Sequence, residues 1–156
     1  MKGYRISKYD PRFRLDGIYT RDEWTAYDDI GACFGGVTLT ESAYLDVERR
    51  YLDCVGCICE QCGAFPSVIR NKEDSGHPVK WREGQSISDD VTLKAVLRDC
   101  LREGLWCRLI GEKAIVDTGY DYYVHLWCDL LPEVVTWITS EYGLFVEEWT
   151  HDPFGV

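Results

Sequence analysis

Long apolar runs are missing from this sequence, and no stretch of it would cross a bilayer as a helix. Its start, MKGYRISKYDPRFR, has neither an apolar core segment nor a twin arginine of the kind that directs export, so the protein is expected in the cytoplasm, away from membranes. There is no HExxH helix, no nucleophile elbow and no phosphate-binding glycine loop. GACFGG has the glycines but not the Lys-Ser/Thr of a phosphate cradle, and reads as a turn. Solenoid repeats and low-complexity tracts are absent too, so the 156 residues are expected to form one domain. Basic residues are few: 17 Lys and Arg stand against 27 Asp and Glu, a net charge of -10. The deficit lies late in the chain, where residues 105–156 hold nine acids against two bases. A negative field of this kind repels a nucleic acid backbone and attracts basic proteins.

What is present is a grammar of helix, glycine stop and strand, used three times. Residues 40–63 begin with Thr40 as an N-cap and with Leu39 and Tyr44 at the two positions of a hydrophobic staple. Residues 88–104 open on Ser88-Asp89-Asp90, acids suited to the positive end of a helix dipole. Residues 132–143 open on Pro132, which lacks a donor that the first helical turn leaves unpaired anyway. A glycine closes each segment. Branched and aromatic residues then predict strands at 65–70, 105–110 and 144–150. LWCRLIGEKAIVDTGYDYYVHLW predicts a three-stranded meander with two-residue turns at Gly111-Glu112 and Thr118-Gly119. YRISKYD is a further candidate strand, 20–28 a short helix with Thr20 and Glu23 as its capping box, and 71–86 an exposed loop. The expected architecture is α+β, a mainly antiparallel sheet with about three main helices packed on it.

Of eight cysteines, four fall within CVGCICEQC. In a reducing compartment they are expected as free thiols. On a helical wheel with Cys54 at zero, Cys62 falls near ~80°, Cys59 near ~140° and Cys57 near ~300°. Four sulfurs spread over more than half the circumference cannot close a tetrahedral zinc site unless the helix breaks around Gly56. Cys62 lies inside the apolar stripe of Tyr44, Val47, Tyr51, Val55 and Ile58, with Cys54 and Cys59 at its margins, so these three read as packing residues. Cys57 is left on the solvent side. No metal or cofactor is expected, a zinc-binding scaffold remaining an alternative. Glu48 falls beside the stripe, as a carboxylate at the helix edge or as a buried acid.

Two surfaces compete for function. In GYDYYVHLW, strand alternation sets Asp121, Tyr123, His125 and Trp127 on one face, so that Asp121 and His125 would be the orienting acid and base of a small hydrolase-like enzyme. The other surface follows from the two tight turns. They place Leu105, Cys107, Leu109, Ala114, Val116 and Tyr123 on a core face. Trp106, Arg108, Ile110, Lys113, Ile115, Asp117, Tyr120 and Tyr122 share the opposite one, whose composition is that of an interface hot spot. Ten of the 21 aromatic residues lie beyond residue 104, among the late carboxylates.

YRISKYDPRFR, DGIYTRDEWTAYDDIG, GYDYYVHL and the closing GLFVEEWTHDPF resemble a family of small uncharacterised bacterial proteins, over most of the chain outside 71–86. In size, acidity and α+β grammar the chain is also similar in kind to immunity proteins, which bind and neutralise a toxin, commonly a basic nuclease. This likeness implies a binding protein with no catalysis of its own and a basic partner, a toxin or defence effector. The acidic, aromatic C-terminal third is the expected contact surface, through Trp106, Asp117, Tyr120, Tyr122, Glu147, Glu148 and Trp149.

Overall fold

A computed structural model describes residues 1–154. Eleven strands run in chain order: β1 (Lys2–Ser7), β2 (Arg14–Leu15), β3 (Ile18–Tyr19), β4 (Cys33–Phe34), β5 (Val37–Thr38), β6 (Ser67–Asp74), β7 (Ser86–Ile87), β8 (Leu105–Gly111), β9 (Ala114–Thr118), β10 (Val124–Cys128) and β11 (Phe145–Glu148). The helices are α1 (Glu41–Cys62), α2 (Asp90–Leu101) and α3 (Pro132–Glu141). Seven strands form one antiparallel sheet in the order β11-β1-β10-β9-β8-β6-β7. The result is an α+β single domain of three helices on a large antiparallel sheet. No helix among the described residues is long and apolar enough to cross a membrane.

The helix boundaries follow their capping chemistry. The Thr40 hydroxyl accepts the Ala43 N–H at 3.1 Å, the Asp89 carboxylate accepts that of Thr92 at 2.7 Å, and Pro132 fills the first turn of α3. Gly63 and Gly143, both at φ 68°, take the left-handed conformation that ends or follows a helix. In α2 the expected stop moves by one residue: Glu103, not Gly104, adopts the left-handed conformation (φ 60°).

α1 is continuous through Gly56, whose missing side chain makes room for Asp90 and Lys94 of α2. With α2 against one flank and α3 against the other, α1 buries more than the single stripe predicted. Cys54 and Cys59 at the stripe margins are sealed, and Cys57 is packed near Tyr142 at the end of α3. Among the described residues no three His, Cys, Asp or Glu side chains stand where they would hold a metal ion.

YRISKYD forms a strand as expected, and β1 lies inside the sheet, between the late strands β10 and β11. Three other expectations need correction. Residues 71–74 continue β6 past a bulge instead of starting a loop. Residues 20–28 form no α-helix, only the start of a 3-10 turn at Tyr27–Asp29, because the capping pair is diverted. The Thr20 hydroxyl donates to the Phe13 carbonyl, while Glu23 accepts from Lys8 at 3.1 Å and from Tyr19 at 3.0 Å.

The third concerns both turns of the meander. Ile110 pairs with Ile115, a slip of two residues that leaves every side chain on its expected face. At the second turn Thr118 pairs with Val124 around a five-residue loop, closed by the Gly119 N–H on the Tyr123 carbonyl at 2.8 Å. That slip is odd, so it exchanges the faces of β10. Val124, Leu126 and Cys128 enter the core under the helices, and His125 and Trp127 turn to the opposite face.

Candidate functional site

The helices cover one face of the sheet. Its core side carries Tyr4, Ile6, Ile69, Leu109, Val116 and Leu126 in one cluster with Tyr44, Tyr51, Val55, Ile58, Leu93 and Val96 of the helices. Ile115 and Trp127 are also buried but lie outside that cluster, on the other face. Nothing helical covers them. Instead the chain after β11 crosses back over the sheet. Trp149 donates its N–H to the Gly3 carbonyl at 2.9 Å, Trp127 Nε1 donates to the His151 carbonyl at 3.0 Å, and the Arg108 guanidinium donates to the Pro153 carbonyl. Gly3 is required here, since a methyl group on it would overlap the Trp149 carbonyl oxygen.

Strand register writes a ladder of charge across this face. Arg70, Arg108, Asp117, His125, Arg5 and Glu147 are successive cross-strand neighbours from β6 to β11. Asp117 accepts from Arg108 Nε at 2.9 Å, and Glu147 accepts from Arg5 at 3.0 Å and from Arg14 Nε at 3.1 Å. One step along the strands lies an apolar row of Val68, Ile110, Ile115, Trp127 and Gly3. On the other side of the ladder Trp106 and Tyr120 form a tilted pair with ring centroids 6.3 Å apart. Above His125, Trp149 stacks at 4.4 Å, and His151 stacks on Trp149 at 4.3 Å.

These groups bound an open groove of about 670 Å³ whose walls include Trp106, Arg108, Asp117, Tyr120, His125 and Trp149, the size of a ligand or side-chain pocket. Burial is the chief cause lowering the His125 pKa; Asp117 opposes it, while Arg5, His151 and Arg108 add to it. The ring is therefore held neutral, and it stacks as an aromatic. Among the rim carboxylates, Glu73 is the cross-strand neighbour of Trp106 and Asp152 caps the Phe154 N–H at 2.8 Å.

Four of the seven partner-binding candidates, Trp106, Asp117, Tyr120 and Trp149, thus share one groove. Glu147 is on the same face but locked between two arginines, and Glu148 is exposed at the sheet edge. Tyr122 is a correction. It is 3 % exposed in the helical core, its hydroxyl against that of Tyr44 and its carbonyl accepting the Tyr51 hydroxyl at 2.8 Å. Asp117 and Glu147, two of the late carboxylates expected to attract a basic partner, are already paired with Arg108 and with Arg5 and Arg14. Asp121 lies in the exposed loop and is no part of the groove wall; the carboxylate opposite His125 is Asp117. Arg5, His151 and Phe154 join the open face without having been singled out. Trp127 shares that face with His125, as the strand alternation expected, but without Asp121.

Glu48 proves to be the buried acid, 3 % exposed. Arg102 clamps both of its oxygens at 2.8 and 2.9 Å, the Tyr44 hydroxyl donates to it at 2.7 Å, and Arg98 stands at 3.4 Å. This network binds α1 to α2 and, through Tyr44 and Tyr122, to the loop that carries Tyr120. A second cavity, about 370 Å³, lies on the far side of α1 between Trp24, Phe34, Val47 and Leu144. Lys8 enters it between the rings of Tyr9 and Trp24, paired with Glu23 at 3.1 Å, and burial lowers its pKa.

Fold and groove together define an α+β protein with one helix-covered and one open sheet face. No protein-family model, curated protein or solved structure matches the chain.

Proposed function

We propose that this is a binding protein of the immunity or inhibitor kind, which neutralises a basic partner protein such as a toxin through its open sheet face. The observation that supports the reading is the groove itself: a sheet face without helical cover, with tryptophan and tyrosine shelves about a charge-paired floor. Large rings that keep their shape on binding are the side chains that dominate interface energetics. Tyr120 and Phe154 are 71 % and 63 % exposed, so their apolar area is still free to be buried. Attraction for a basic partner comes from the net charge of -10 and from rim carboxylates at Glu73 and Asp152, since the floor carboxylates are already paired.

The test starts with immobilised protein and lysate of its own host, with bound proteins identified by mass spectrometry and then purified. A basic protein should bind wild type, its association should slow as salt rises, and Trp106→Ala should release it. A partner of acidic charge, or one held equally by the Trp106→Ala variant, would overturn the assignment. A turnover lost in His125→Ala would instead favour an enzyme.

A further inference from the structure

All eight cysteines are free thiols, and one pair of them differs from the rest. Cys100, in the last turn of α2, and Cys107, in β8, have their sulfurs 3.6 Å apart, the one hydrogen-bonded pair of thiols among the described residues. The contact follows from the local fold. Glu103 in the left-handed conformation ends α2 and sends the chain directly into β8, so positions seven apart fold back on each other. Both sulfurs face the same seam between helix and sheet. Their exposure also sets them apart: Cys54, Cys59 and Cys128 are at 0 or 1 %, while Cys100 and Cys107 keep 4 and 5 %. Of the five buried cysteines these two are the least enclosed.

We propose that Cys100 and Cys107 are a reversible disulfide site, closed by a peroxide-class oxidant and opened by a dithiol. The chemistry balances without any other group. One thiolate attacks the peroxide oxygen, the O–O bond breaks, and a sulfenic acid and water form. The neighbouring thiol then attacks that sulfur and displaces a second water, so that two thiols lose two electrons and two protons to one peroxide. Closing the sulfurs to a bond of about 2.05 Å takes about 1.5 Å of approach, within reach of side-chain rotation and a small slide of the helix end. The Cys100 contact and, after it, burial both raise the Cys107 pKa, so the reaction is slow at neutral pH and quickens as pH rises. The closed form staples α2 to β8 around the turn that carries Arg102, the clamp on Glu48. No part of this depends on what the open face binds.

The chain offers a direct readout. Trypsin cuts after Arg98, Arg102 and Arg108, so the two cysteines leave in separate peptides, residues 99–102 and 103–108, which only a disulfide joins. Folded wild-type protein is treated with hydrogen peroxide at pH 8, denatured in an alkylating agent, digested and analysed by mass spectrometry. The expected result is the joined pair as the main disulfide, separated by dithiothreitol and absent from Cys100→Ser and Cys107→Ala. Exposed Cys33 is the internal control that the oxidant acted. Oxidised Cys33 beside peptides 99–102 and 103–108 recovered fully alkylated would overturn the assignment, as would a main disulfide between any other pair.

Discussion

Replacing Arg102 by methionine isolates the buried carboxylate of Glu48, and the structure sets the size of the effect. The substitution removes two charge-assisted hydrogen bonds at 2.8 and 2.9 Å and leaves Glu48 with the Tyr44 hydroxyl and with Arg98 at 3.4 Å. Removing one partner of a fully buried ion pair costs about 3–5 kcal/mol. The remaining arginine and the 31 % exposure of the Arg102 side chain reduce this to about 2–3 kcal/mol, a fall in melting temperature of roughly 5–10 °C. Urea unfolding followed by tryptophan fluorescence measures it. Adding Glu48→Gln to the variant should restore at least about 1 kcal/mol, because a neutral amide is cheaper to bury and still accepts the Tyr44 hydroxyl. An Arg102→Met protein within about 0.5 kcal/mol of wild type, or a double variant weaker than the single, would refute the reasoning.

The remaining expectations concern the two faces of the sheet. Tyr122→Ala should cost about 3–5 kcal/mol in the same assay and Tyr120→Ala less than about 0.5 kcal/mol; equal costs would contradict the five-residue loop. Because burial lowers the folded-state pKa of His125, its contribution to stability is complete above the unfolded value of about 6.5 and is lost as pH falls through the folded value. Melting temperature should therefore decline less between pH 7 and pH 5 in His125→Gln than in wild type, and parallel curves would count against a buried neutral ring. Gly3→Ala should push Trp149 off β1 and shift tryptophan emission to the red, whereas an unchanged spectrum would mean that the tail is not seated on the sheet.

Helix ends were legible because capping is local. Thr40, Pro132, Gly63 and Gly143 act within a turn of where they stand, and the sequence places them correctly. The groove was legible only in part, because it depends on register. Thr118-Gly119 carries the signal of a tight hairpin, but the chain reverses two residues later, with Asp121 and Tyr122 at φ 59° and 64°. Neither residue announces a left-handed conformation as a glycine would. Tertiary contacts enforce it instead: Tyr122 is drawn into the core by Tyr44 and Tyr51, and the Asp121 carbonyl accepts the Tyr9 hydroxyl at 2.7 Å. The place of β1 is set in the same way, by neighbours in the sheet that lie more than a hundred residues away. Pairing of Asp117 and Glu147 was hidden for the same reason, since Arg108, Arg5 and Arg14 come from other strands.

The most direct test of the open face as the working surface is calorimetric titration of the captured partner against two double variants. Trp106→Ala/Tyr120→Ala should weaken binding at least about tenfold, or about 1.4 kcal/mol, while Leu131→Ala/Trp137→Ala, which removes exposed apolar groups at α3, should leave it unchanged. Full affinity in the first and a loss in the second would move the surface to the helical side and contradict the account.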